Sequence, residues 1–189
     1  MKFYHGSHIG NIKTLLPKHA DHDSPYVYLT TIEAVAAIYL CNPMEKPYYW
    51  FPYGYEKGSQ VPVYHEIYPD ALKDVSQNKC GYIYEVELDE MYVSPLPDNP
   101  YAFVSSVSVP VTCFVKISNV YDLFMKYIEQ HKLKVIFFEE KTENQLDWWY
   151  QNLISYLKKR NMVNSPGCSY ARFIQMKMPH VWRQYISSV

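Results

Sequence analysis

No run of this 189-residue sequence is apolar for long enough to cross a bilayer, which takes about 20 residues. Nor does a signal-peptide core follow Met1, because the charged Lys2 is succeeded at once by polar strand and loop residues. A soluble, cytoplasmic protein with no membrane partner is expected. Charge of neither sign is in excess: 18 Lys and Arg stand against 19 Asp and Glu, for a formal net charge of −1. That excludes a general basic field able to hold a phosphate backbone. The one tight basic cluster, Lys158-Lys159-Arg160, suits the C-terminal end of a helix, where the dipole favours cations. The four cysteines, Cys41, Cys80, Cys113 and Cys168, are too widely spread to make a Cys-x-x-Cys pair. Neither a zinc site nor a disulfide framework is expected from them, and the thiols read as those of a reducing compartment. His19-x-x-His22 lies in an Asp-rich loop and reads as a solvated turn rather than a metal site.

What is abundant is tyrosine, 20 residues against 8 phenylalanines. Many cluster in Pro47-Tyr48-Tyr49-Trp50-Phe51-Pro52-Tyr53-Gly54-Tyr55 and Tyr64-His65-Glu66-Ile67-Tyr68-Pro69, inside an insertion at about 41–79. Proline and glycine at these spacings exclude a long regular element and favour turns with aromatic rings folded over the body. Two readings stand. The segment is a mobile lid or acceptor-recognition loop beside a site, or it is an ordinary insertion packed by its own rings. Without interleaved Arg or Lys, stacking of nucleic-acid bases on these rings is the weaker use, so a protein acceptor is favoured over a nucleic acid.

With 48% hydrophobic residues the chain is long enough for a substantial core and is read as one α+β domain over residues 1–189. A helix is expected from Thr31 to Leu40, capped by Thr30 or Thr31, with Ala34, Ala37 and Ile38 on its apolar face. A short helix over 70–77 and a strand over 81–88 follow, the strand with Tyr82, Tyr84 and Val86 on one face and Ile83, Glu85 and Glu87 on the other. Phe103 to Lys116 reads as strand, bent or divided at Pro110. Helix is expected over 120–130, with Leu123, Phe124, Tyr127 and Ile128 inward, and strand over 135–139. The longest helix spans 143–159, where Leu146, Trp149, Leu153, Ile154 and Leu157 form a core stripe. After Asn161 only a short apolar and basic segment is expected to pack back.

Chemistry is concentrated near the start. Phe3-Tyr4-His5-Gly6-Ser7 reads as a strand, Tyr26-Val27-Tyr28-Leu29-Thr30-Thr31 as a second, and Tyr39 ends the helix that follows. A glycine after a strand histidine lets a backbone approach closely, because no Cβ stands in the way. Order and spacing together resemble the nicotinamide pocket of the ADP-ribosyltransferase superfamily, in its His-Tyr branch of poly(ADP-ribose) polymerases and rifamycin ADP-ribosyltransferases. The resemblance implies a split, mostly antiparallel sheet flanked by helices, and NAD⁺ as substrate. It implies NAD⁺ contacts from His5, Gly6, Ser7, Tyr28, Thr30 and Tyr39, with His5 and Tyr28 the residues of the catalytic motif. His5 would bond a ribose hydroxyl, Gly6 and Ser7 the carboxamide, and Tyr28 and Tyr39 would flank the planar cationic ring.

The family's third member is a carboxylate on a later strand. Here the strand expected to bear it, Ala102 to Pro110, holds no acid. Asp89, Glu90 and Asp98 in the preceding segment are the candidates. Glu85 and Glu87 form a Glu-x-Glu like that of the superfamily's other branch but read as solvent-facing strand residues, and Glu139-Glu140 is an outside candidate. Three readings follow: transfer of a single ADP-ribose to an acceptor or to water, an NAD⁺- or ADP-ribose-binding module with the chemistry lost, or an interaction domain that uses the Tyr-rich insertion.

Overall fold

The computed structural model describes residues 1–19, 24–41, 53–97 and 99–189. In chain order the elements are β1 (Lys2–Ser7), β2 (Thr14–Leu15), β3 (Val27–Thr30), α1 (Glu33–Ile38), β4 (Tyr53–Tyr55), β5 (Pro62–His65), α2 (Ala71–Ser76), β6 (Gly81–Glu87), β7 (Ser94–Leu96) and β8 (Asn99–Ser105). Then come β9 (Val109–Pro110), β10 (Cys113–Ile117), α3 (Val120–Glu129), β11 (Lys134–Ile136), α4 (Glu143–Lys159), α5 (Ser169–Lys177) and α6 (Pro179–Ile186). The fold is α+β, as expected, and its strand pairs in the main sheet are antiparallel. Among the described residues no helix is long and apolar enough to cross a membrane. The chain divides into two compact units, described separately below.

The first unit comprises Met1–Cys41, Gly54–Val63 and Val75–Lys134. Its six-stranded sheet has the order β10-β6-β1-β3-β8-β7, so β1 lies near the middle although it opens the chain. One face buries Phe3, Leu15, Val27, Leu29, Val86 and Val109 together, and Phe3 meets Phe103 edge to face at 5.2 Å. Full burial of a side chain such as Phe3 contributes about 2–3 kcal/mol. On the other face lies α1, buried on every side through Ala34, Val35, Ala36, Ala37 and Ile38. Three alanines in six residues explain how it sits so close: small side chains let its backbone approach the sheet.

Several sequence expectations change here. Helix α1 starts at Glu33, and neither threonine caps it; Thr30 Oγ1 instead accepts a hydrogen bond from Ile32 N at 3.1 Å, making the turn that precedes the helix. The expected strand over 103–116 is three strands. The break falls at Ser106–Ser108, where Ser105 Oγ accepts from Val107 N, a local turn that competes with the ladder, and Pro110 sits inside β9, opposite Thr14. The insertion holds the short helix expected, α2, and two short strands, β4 and β5. Its residues 42–52 lie outside the described residues, as do His22 and Asp98.

The second unit includes Tyr64–Asp74 and Val135–Val189. Helix α4 has the bounds expected, because its signals are local: Thr142 Oγ1 accepts from Gln145 N while Gln145 Oε1 accepts from Thr142 N, and Lys158 and Lys159 close the last turn. Leu153, Ile154 and Leu157 are buried, but the stripe reaches the core only in this half, and Trp148 is 60% exposed. The strand expected over 135–139 stops at Ile136 and turns into a 3₁₀ segment, Phe138–Glu140. The tail is two helices, α5 and α6, which bury Phe173, Ile174, Val181 and Tyr185. The buried Glu66 is satisfied on both oxygens, Oε1 by Leu72 N at 2.8 Å and Oε2 by Phe138 N at 3.1 Å, as a buried carboxylate requires. Tyr64 and Tyr68 are core residues of this unit, so that part of the tyrosine cluster is packing.

Candidate functional site

Strand β1 is paired unequally on its two sides. Against β6 the register runs unbroken from Lys2↔Glu87 to Ser7↔Tyr82. Against β3 it consists of Tyr4↔Thr30. Met1 O accepts from Leu88 N, so odd-numbered residues of β1 aim their main chain at β6, and even-numbered residues aim theirs at β3. Gly6 therefore turns its N–H and C=O toward β3 at the point where the ladder has ended. Across this parting the His5 ring reaches the other strand: its Nδ1 lies 2.8 Å from Tyr28 O. A carbonyl only accepts, so Nδ1 carries the hydrogen, and in the neutral ring Nε2 keeps a lone pair.

Burial holds the His5 pKa below its ordinary value of 6.5, against the upward pull of the Tyr28 carbonyl, with Lys18 adding to the lowering. The ring is thus neutral near pH 7, the state that the Nδ1–H donor and Nε2 acceptor pair needs. His180, in the second unit, is lowered by burial and by Arg183. Between the folded value and 6.5 the unfolded chain binds more protons, so stability present above 6.5 is lost as pH falls through the folded value. Urea unfolding midpoints should therefore drop between pH 7 and pH 5. His5→Gln should flatten that slope, and an unchanged slope would refute the assignment.

Gly6 meets α1. A Cβ built on it would lie 2.1 Å from Ala36 O and 3.4 Å from Tyr39 Cβ. The close approach anticipated for a ligand is made on this side by the protein's own helix, which brings Tyr39 directly beside Gly6. Tyr39 is 42% exposed. Ser7 Oγ accepts from Ile9 N at 3.2 Å, leaving its O–H as a donor. Tyr28 is half-buried, with Tyr26 edge-on at 6.5 Å. Thr30 is buried and engaged in the turn before α1, a positioning role. The structure thus ties the His5 ring to the Tyr28 backbone and sets Tyr39 against Gly6.

Among the described residues, the candidate acids fall elsewhere. Strand β8 lies beside β3 in the register Tyr28↔Val104 and Thr30↔Ala102. It starts three residues before the expected strand and ends at Ser105, and Asn99–Ser105 still holds no carboxylate. Asp89 and Glu90 are exposed and lie beyond the Met1 end of β1, about 13 Å of strand rise from His5. Glu85 is not simply solvent-facing: opposite Tyr4, it is 24% exposed and ion-paired to Lys2 at 2.9 Å. Glu87 is exposed, and Glu140 Oε2 accepts from Phe137 N within the second unit.

Three residues not singled out from the sequence belong to the same unit. Glu33, in the first turn of α1, acts with burial to hold the phenols of Tyr4 and Tyr127 above their ordinary values. Tyr55 and Tyr101 stand edge to face with centroids 4.7 Å apart. Glu33 could have been found as the acid in the first turn of the expected helix; nothing local links Tyr55 to Tyr101. Comparison with protein-family models, with curated proteins and with solved structures found no match to the chain.

Proposed function

We propose that the chain binds NAD⁺ where β1 and β3 part and transfers a single ADP-ribose from it to an acceptor. The observation that carries this reading is the His5–Tyr28 bridge, which fixes Nε2 as an acceptor and stands next to main-chain groups of Gly6 that face the same parting. His5 Nε2 accepts from a ribose hydroxyl. Gly6 N–H and C=O take the carboxamide, to whose oxygen Ser7 donates. Tyr28 and Tyr39 flank the pyridinium, which is planar and cationic. The bond from the ribose C1′ to the ring nitrogen breaks, nicotinamide leaves with the electron pair, and the acceptor bonds to C1′ and gives up its proton.

A second reading is an NAD⁺-binding module with little turnover, and the acid-free β8 favours it. Losing a carboxylate that steadies an oxocarbenium-like centre lowers turnover by roughly a hundred- to ten-thousandfold while ground-state binding stays nearly intact. Titration with NAD⁺ and with nicotinamide, followed by Trp and Tyr fluorescence, tests both readings. No binding at millimolar ligand removes them together. Binding with slow nicotinamide release supports the module, and fast release supports the transferase. On either reading, Asp89→Asn and Glu90→Gln should leave nicotinamide release unchanged, because both lie off the far end of β1. Fast release abolished by either change would show that one of them supplies the acid.

A further inference from the structure

The six-stranded sheet has two edges, and they are finished differently. At one, β7 is three residues long, contains Pro95 and slips register between Pro95 and Leu96, devices that keep an edge from pairing with another chain. At the other, β10 runs for five residues without proline, and Cys113, Phe114, Val115 and Lys116 are all exposed, so both faces of the strand are open there. Phe114 is 44% and Val115 58% exposed. The main chain of β10 is also partly unused. Leu88 N donates to Met1 O, so even-numbered residues of β6 aim at β1 and odd-numbered ones at β10. Their partners Cys113, Val115 and Ile117 therefore face β6, and Thr112 is turned the same way by its bond to Glu85 O at 2.9 Å. Phe114 and Lys116 point their N–H and C=O groups outward.

We propose that β10 is a dimer interface, pairing antiparallel with β10 of a second copy about a two-fold axis at Val115, so that two six-stranded sheets join edge to edge. The outward groups lie two residues apart with Val115 between them, so in this register Phe114 exchanges both main-chain bonds with Lys116 of the second copy, and the reverse. Side chains agree with the backbone. Directly opposed residues share a face, so each Lys116 ammonium meets a Phe114 ring and the two Val115 side chains meet across the axis. Other registers fit worse. Centring the pair on Lys116 opposes two like charges, and centring it on Phe114 sets Lys116 against Thr112, whose N–H is already bound inward. A net charge of −1 sets no general repulsion between copies. A strand this short falls below a standard interface, so the dimer is weak, with a dissociation constant on the order of 10–100 μM.

Sedimentation velocity of the full chain at about 0.01 to 0.5 mM brackets that constant and should show monomer passing to dimer. A monomer throughout overturns the proposal. Lys116→Pro removes an outward N–H but no bond to β6, so it should weaken association roughly tenfold or more while the circular dichroism spectrum stays unchanged. Charge tests the register. Phe114→Lys opposes two lysines and should abolish the dimer, whereas Phe114→Glu opposes a carboxylate to Lys116 and should keep it; equal weakening by the two refutes the register. Cross-linking tests the axis, with the exposed Cys80 and Cys113 replaced by serine. Val115→Cys sets two sulfurs across a non-hydrogen-bonded pair, where Cα atoms stand about 4.5 Å apart, and should oxidise in air to a disulfide-linked dimer. Lys116→Cys should not, because the two Cα atoms at that position stand about 8 Å apart. Cross-linking by both variants alike, or by neither, refutes pairing about Val115.

Discussion

Replacing Gly6 with alanine is expected to be the most damaging single-methyl change in the first unit. The added Cβ would stand 2.1 Å from the Ala36 carbonyl oxygen. That oxygen belongs to a helix backbone buried on all sides, so relief requires α1 to move off the sheet. Overpacking of this kind costs about 3 kcal/mol or more, at the upper end of the usual range. For a chain of this length that lowers the melting temperature by roughly 10 °C. Thermal unfolding followed by circular dichroism reads the effect directly. An unchanged melting temperature would mean that α1 does not rest on Gly6. Because Tyr39 caps the C-terminal end of α1, the variant should lose nicotinamide binding along with stability, the two losses having one cause.

The second large effect is expected at His5, where stability and binding can be pulled apart. His5→Ala leaves the Tyr28 carbonyl without its donor and removes the Nε2 acceptor. Each such loss at a buried polar group costs about 1–3 kcal/mol. Affinity for NAD⁺ should accordingly fall by about a hundredfold or more. His5→Gln keeps an N–H that can reach Tyr28 O, so it should restore most of the thermal stability while recovering NAD⁺ affinity only in part. If His5→Ala bound NAD⁺ as the wild type does, the parting of β1 and β3 would not be the site.

Much of the architecture is legible in short stretches of sequence. The stripe from Leu146 to Leu157 at helical steps, with Lys158 and Lys159 at its end, bounds α4 correctly because these signals are local. Tyr82, Tyr84 and Val86 alternate with Ile83, Glu85 and Glu87, which suffices to identify β6. Where the reading went astray, a competing local bond or a distant partner was responsible. Ser105 Oγ closes a turn that a strand-propensity reading of 103–116 passes over. The short apolar and basic tail becomes two helices, because Tyr170, Phe173, Val181 and Tyr185 find a core to enter.

The candidate site divides in the same way. The residue types, their order, and the need for a glycine after His5 were determined by the sequence alone, since each is a property of a few neighbouring positions. Tertiary structure decided that β1 keeps β6 along its whole length but leaves β3 after Tyr4, that the vacated Tyr28 carbonyl goes to the His5 ring, and that the room at Gly6 is used by Ala36. It also decided that Tyr101 stands against Tyr55, with 45 residues between them in the chain. These pairings join segments whose mutual energies appear only once the sheet has assembled, and no local pattern encodes them.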